Sequence, residues 1–243
     1  MQNINPTKNR NRRALFYIGQ LGLPGIFGGF IALALVVLLS QLPLLGSLNT
    51  VSMVCLGIFA VPALISGAVA TYRGLTLEHE NQVAYEVGEA LRPFLDERYT
   101  FIRNVSRRGL GYIDAVLVGP PGALVFRTVD FGGTWRNERA EWRVKDPRSG
   151  KWKPASVNPS RECARDVYAL RRHLARRRLD MVPVYGIVVF HTQRPLTLQG
   201  QGAVVPISET HLLADILQRD YLAEPERITP QQAQQTIAAI VEK

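Results

Sequence analysis

Asp114 is the residue best placed for chemistry. It lies in the stretch Gly109–Gly133, which reads as two strands joined at the Gly119-Pro120-Pro121-Gly122 turn. Residues two apart share a strand face, so Arg127 and Val129 point to one side of the second strand, beside Asp114 on the first. An acid on one strand opposite a Glu-x-Lys pair on the next is a layout for phosphodiester cleavage. The carboxylates hold a divalent cation against the phosphate, and the lysine polarises the attacking water. Here the pair is Arg-x-Val.

Other acids could contribute. Glu89 lies on an amphipathic segment upstream and Glu162 on a helix downstream, while Asp130, Glu138 and Glu141 are close in sequence. Asp130 belongs to the opposite strand face from Arg127, so Glu162 is the better candidate for a migrated acid. A second kind of chemistry is binding. Arg161, Arg165, Arg172 and Arg176 follow one side of the same helix at i, i+4, i+11 and i+15, and Arg171, Arg177 and Arg178 widen the patch. Arg107 and Arg108 add to it from the loop before the hairpin. Such a stripe can track phosphates with strong salt dependence. It also fits a solvated helix face or a patch on anionic headgroups, and these readings together are favoured. Trp135, Trp142 and Trp152 are expected to cover the sheet, and His191 to be structural. Cys55 and Cys163 have no metal spacing, and no disulfide framework is expected. No Ser-His-Asp set, P-loop or dinucleotide fingerprint is present.

These residues need a scaffold. His79–Leu95 has helical apolar spacing. Strands are predicted at Tyr99–Asn104, Tyr112–Val118 and Ala123–Val129, with a short pair around Thr134–Arg136 and Glu141–Val144 completing the sheet. Asn158-Pro159 opens a helix whose apolar stripe is Cys163, Val167, Leu170 and Leu174. Val184–Phe190 is a continuously apolar strand of the doubly buried kind, which implies a crossover connection. Ser208 is expected to start a helix to about Arg219, and Thr229-Pro230 the last one, through Val241.

The N-terminal part is of another kind. No charged residue occurs between Ala14 and Tyr72. Leu21–Leu45 and Val51–Ala70 each reach the roughly 20 residues needed to cross a bilayer, with Gly46–Asn49 as a short polar turn. A signal peptide is disfavoured, because the first run is too long and a second follows. Four basic residues precede the first run and Arg73 follows the second, so both ends and the soluble domain are expected in the cytoplasm. Gly25 and Gly29 form a small-xxx-small pair, for which hairpin packing is favoured over a dimer seam. The expected division is a basic arm (1–20), two transmembrane helices (21–72), a soluble domain (73–205) and a C-terminal helical extension (206–243). The chain has 29 Lys and Arg against 20 Asp and Glu. Without the arm's four, the surplus is 5, compatible with nucleic acid or anionic lipid.

Several separated pieces resemble the nuclease-related (NERD) domain family, a branch of the restriction-endonuclease-like PD-(D/E)xK group. They are Gly88-Glu89, Ile113-Asp114, Val118-Gly119-Pro120 with Gly122, Asn158-Pro159 and Val188-Val189-Phe190. The resemblance spans roughly 87–192. It implies an α/β fold, a mixed central sheet flanked by helices. It also implies that Glu89 and Asp114 match family acids, with Asp114 at the metal-binding position. Arg127 and Val129 replace the metal-binding Glu and catalytic Lys, and Glu162 stands where the family offers Gln. A guanidinium in place of a ligand changes the local charge by two units. Unit charges 4 Å apart interact by about 4 kcal/mol at an effective dielectric near 20, so Arg127 would repel the metal. Arg127 is expected to take the cation's place and pair with Asp114 or Glu89, as its planar fork suits a carboxylate.

The expectation is therefore a membrane-tethered, non-catalytic scaffold or binding module, with Glu89, Asp114 and Glu162 vestigial. No cofactor is expected, and Mg or Mn only if an active nuclease uses migrated acids. A non-cleaving nucleic-acid binder is the other alternative, through Arg161, Arg165, Arg172 and Arg176. The expected partners are the lipid bilayer, possible nucleic acid, and other membrane proteins or a second copy through the spans.

Overall fold

The computed structural model describes residues 1–6, 16–41, 46–107 and 110–241. The arm's Lys8, Arg10, Arg12 and Arg13, the end of the expected first span at 42–45, and Arg108 lie outside them. The chain divides into two units, one of Lys8–Glu80 and one of Met1–Thr7 with Asn81–Lys243.

The first unit is helical. A π-helical turn, Tyr17–Gly22, leads into α1, Leu23–Ser40, and α2 runs from Gly46 to Leu91, with Pro62 inside it. Tyr17–Ser40 and Thr50–Leu75 are long and apolar enough to cross a membrane. Phe27, Phe30, Ile58 and Phe59 on them are largely exposed, as residues facing a bilayer would be. The expected polar turn at Gly46–Asn49 is instead the first turn of α2. The small residues of α1 pack within the hairpin. A Cβ on Gly25 would lie 3.0 Å from the Gly67 Cα, and one on Gly67 would lie 2.7 Å from the Ile26 nitrogen. Removing the side chains lets the two backbones approach.

The second unit is built on a six-stranded mixed sheet. Its strands are β1 (Gln2–Ile4), β2 (Thr100–Arg107), β3 (Gly111–Gly119), β4 (Gly122–Val129), β8 (Val184–Phe190) and β10 (Ile207–Glu209), in that spatial order. β2, β3 and β4 form an antiparallel meander, whereas β8 runs parallel to β4 through a crossover that contains α3, Pro159–Ala175. The expected basic arm is thus not a free arm at its start, because Gln2–Ile4 pair in parallel with Thr100–Ile102.

Alternation along the strands separates two cores. Ala123 and Val125 face α3 and α5 (Pro230–Val241), with Leu170, Leu174 and Ile240. Leu124 and Phe126 face the end of α2 and α4 (Leu213–Asp220), with Val87, Leu91, Leu213 and Leu217. Asn158 caps α3 by accepting the Arg161 N–H at 3.0 Å. At α5, Thr229 and Gln232 cap each other reciprocally: each side chain accepts the other's backbone N–H.

The short strand pair does not complete that sheet. β5 (Gly133–Glu138) and β6 (Glu141–Lys145) join β7 (Trp152–Pro154) and β9 (Leu196–Gln201) in a separate four-stranded sheet, ordered β7-β6-β5-β9. Its inner side packs Trp135 and Trp142 against Val129, Phe190 and Cys163. Ser208, expected to open a helix, lies in β10, and a 3-10 turn at Thr210–Leu212 precedes α4. β10 pairs with β8, so residues after 205 are part of the same unit rather than an extension of it.

The close approach of the two apolar helices makes a prediction. Gly67→Leu, which overpacks that contact, lowers the helical melting temperature of the full chain in detergent by about 5 °C or more. Gly28→Leu, with nothing within 4 Å of its Cβ, leaves it unchanged. Circular dichroism on both variants checks the difference.

Candidate functional site

Two strands part company at Asp114. β3 and β4 are paired from Gly119↔Gly122 down to Ala115↔Phe126 and no further. β4 continues along β8 as far as Val129↔Phe190, while β3 continues along β2 as far as Gly111↔Arg107. The Asp114 carboxylate fills the fork. Its Oδ2 accepts the Thr128 backbone N–H at 2.8 Å and the Thr128 hydroxyl at 3.1 Å, replacing the lost ladder bond.

The opposite neighbour of Asp114 is also irregular. The β2–β3 register passes from Arg103↔Ala115 to Val105↔Ile113, leaving Asn104 and Asp114 facing each other across an interruption. Asn104 is fully buried and has a left-handed φ of 55°. One such residue reverses strand alternation. Ile102 and Val105 consequently enter the same core although three apart, as do Ile113 and Val116. Tyr112 donates its hydroxyl to the Asn104 amide oxygen at 3.2 Å. Sequence reasoning missed Asn104; its residue type tolerates positive φ, but nothing nearby reads as a turn.

Arg127 reaches across the fork. Its Nη1 is 3.4 Å from Asp114, and its Nη2 is 2.5 Å from Glu162 Oε2 on the first turns of α3. Glu89 is not part of this pairing. It accepts from Asn3 Nδ2 at 3.3 Å and pairs with Arg92, so it braces the N-terminal strand. A further acid, absent from the sequence reading, belongs to the cluster. Asp166, one helical turn beyond Glu162, is buried at 3% exposure beside Arg165, which it contacts at 3.4 Å. Its Oδ2 and the Arg127 Nε are buried with no hydrogen-bonding partner among the described residues. The i, i+4 spacing from Glu162 was the signal that could have revealed it. Val129 is buried in the apolar cluster with Trp135 and Cys163, where a lysine ammonium would be desolvated.

Burial works against the charge on Arg127, yet Asp114, Glu162 and Asp166 more than offset it and raise its pKa. Burial pushes the Asp166 carboxyl up to about 6, against the pull of Arg165 and Arg127. Burial likewise drives the Cys163 thiol up to about 12, which makes it an inert core group. The donor set does not fit a divalent cation. The guanidinium stands between two of the carboxylates that would bind one, and Asp114 Oδ2 is taken up by Thr128. Among the described residues no group of three His, Cys, Asp or Glu is arranged to hold a metal.

The remaining candidates lie elsewhere. Arg161, Arg165, Arg172 and Arg176 are all on the exposed side of α3, with Tyr168, 64% exposed, in their midst. Glu138 and Glu141 are cross-strand neighbours in the second sheet, away from Asp114. His191 joins β8 to α2: Nε2 lies 2.5 Å from Glu86 Oε2, and Nδ1 lies 3.1 Å from the Thr210 hydroxyl. That hydroxyl is also 3.2 Å from Phe190 O.

Asp166 gives this cluster a pH signature. Its pKa is raised on folding, so between about pH 4 and pH 6 the folded chain binds more protons than the unfolded one, and stability falls as pH rises. Asp166→Asn is therefore expected to stabilise the full chain by about 2 kcal/mol at pH 8 and by almost nothing near pH 4. Denaturant melts of both proteins at the two pH values check this. Equal differences at the two pH values would contradict it.

The family model described as nuclease-related domain, NERD, matches residues 77–191, a stretch that contains Glu89, Asp114, Arg127, Glu162 and Asp166. No curated protein and no solved structure matches the chain. Its mixed sheet flanked by helices agrees with that match. Residues 77–191 are thus a nuclease-related (NERD) domain.

Proposed function

We propose that this chain is a membrane-tethered NERD protein in which a nuclease-like site has become a structural clasp, so that it serves as a scaffold or binding module rather than an enzyme. One observation carries the reading: the Arg127 guanidinium bridges Asp114 and Glu162, the acids that a catalytic cation would need. A half-buried arginine held by several carboxylates keeps its charge and its place. The PD-(D/E)xK assignment of the domain rests on the strand–turn–strand motif around Asp114. Fold likeness of that kind does not supply an activity.

Tethering is supported by the two long apolar helices. Their hairpin topology is supported by β1, because Gln2–Ile4 must share a compartment with β2 in order to pair with it. The basic residues flanking the helices favour the cytoplasm for both ends. A second reading, nucleic-acid binding without cleavage, is favoured by α3. Glu162 and Asp166 turn inward toward Arg127, which leaves Arg161, Arg165, Arg172 and Arg176 around an exposed Tyr168. Arginines with a stackable ring suit a phosphate backbone.

Isothermal titration of the full chain in detergent with Mn2+ tests the clasp. The natural protein is expected to show no binding, and Arg127→Glu to show measurable binding. Arg127→Glu with Val129→Lys asks whether cleavage returns as well. Manganese-dependent DNA cleavage by the natural protein, abolished by Asp114→Asn, would falsify the inert reading. For the second reading, Arg165→Ala with Arg172→Ala is expected to weaken DNA affinity and reduce its salt slope by about two.

A further inference from the structure

The outward side of the second sheet carries an arrangement that folding alone does not favour. Arg136 on β5 and Arg143 on β6 are direct cross-strand partners. Like charges directly opposite each other destabilise a sheet. Arg136 is steadied by the Trp152 ring, 4.2 Å below its guanidinium carbon, and by Gln199 at 3.2 Å. Glu138 reaches it only at 3.6 Å in an exposed pair, which is worth little. The Arg143 guanidinium has no partner among the described residues, and Lys145 follows on the same side, opposite Trp152.

This charge is concentrated. Residues 133–154 hold seven Lys and Arg against three Asp and Glu, whereas residues 81–243 as a whole hold 24 against 18. Two thirds of the domain's surplus therefore lies on this small sheet and its turns. One of the three acids, Asp146, is already taken by Lys153.

The sheet's position in the domain narrows the partner. β4 and β8 end at Val129 and Phe190, and from there the chain passes into β5 and β9. The same strand ends are tied to α2 by the His191–Glu86 contact, and α2 is the helix that continues in sequence from the long apolar segment. On the outward face itself the Trp152 ring lies under Arg136 and opposite Lys145. Basic side chains flanking an aromatic ring are what a protein presents to a bilayer interface.

We infer that the outward face of this sheet, centred on Arg136 and Arg143, docks on the phosphate headgroups of an anionic bilayer. The inference rests on the reading of the apolar helices as membrane spans. It assigns the like-charge pair a ligand: a phosphodiester oxygen between two guanidinium groups removes their repulsion and uses the donors left free.

The test uses the full chain in lipid nanodiscs, of phosphatidylcholine alone or mixed with phosphatidylglycerol, and reads amide hydrogen exchange over 133–154. Anionic discs are expected to slow exchange there, and high salt to reverse it. Arg136→Gln with Arg143→Gln is expected to reduce the protection on the order of tenfold. The charge-matched Arg219→Gln with Arg227→Gln, at exposed pairs outside either basic patch, is expected to leave it intact. Equal exchange in both kinds of disc overturns the docking surface, as does equal loss in both double variants. Protection produced in neutral discs by inorganic phosphate or by a single-stranded DNA oligonucleotide, but not by anionic lipid, also overturns it. Carbonate extraction of the chain from membranes separates the two failures. Extractable protein sinks the spans and the docking together, while integral protein with unchanged exchange sinks the docking alone.

Discussion

The bridge from Asp114 through Arg127 to Glu162 is the constraint around which this domain is arranged. β3 and β4 separate at that point, and a fork in a central sheet leaves backbone groups without strand partners. Asp114 occupies the gap and takes the Thr128 N–H. A carboxylate in such a place needs a nearby cation, and Arg127 supplies it from the neighbouring strand. Glu162 then binds the guanidinium's other nitrogen and fixes the start of α3 over the sheet. One cation thus joins three elements.

Charge accounting explains why the clasp is not neutral. Three carboxylates surround one guanidinium, and burial raises the pKa of Asp166, the one with an unpartnered oxygen. The excess lies inward. The outward side of α3 carries arginines and Tyr168 and no exposed acid, so the internal arrangement helps to determine what the surface presents. The second sheet follows a comparable logic. Trp135 and Trp142 fill its inner side and secure it to Phe190, which leaves the outer side available for charge.

Much of this was legible in the residues. The strands at Ala123–Val129 and Val184–Phe190 were readable because doubly buried strands are continuously apolar, and the Asn158-Pro159 start because a cap and a first-turn proline are local signals. The Arg127 replacement was visible through the resemblance to the NERD family, and strand periodicity placed it on one face with Val129. What escaped depends on partners far away in sequence. Gln2–Ile4 have no strand pattern of their own and are held by β2 about a hundred residues later. β9 and β10 are short and mixed in character, so the Ser208 helix was expected from a cap-like residue where pairing with β8 prevailed. Glu89 looked like a site acid by motif, yet it pairs with Arg92 and with Asn3, the latter a partner that nothing local announces. Asp166 was not singled out, because its burial depends on which side of α3 faces the sheet.

Because Gln2–Ile4 close the edge of the sheet, the domain's first strand is made long before its neighbour. At ribosomal speeds the wait until β2 emerges is roughly ten seconds, during which, on the proposed membrane-tethered reading, the apolar helices would enter the lipid. On that reading, a chain that inserted only one of the two helices would leave these three residues across the bilayer from their partner. Assembly of the sheet would therefore act as a built-in proofreading step for insertion.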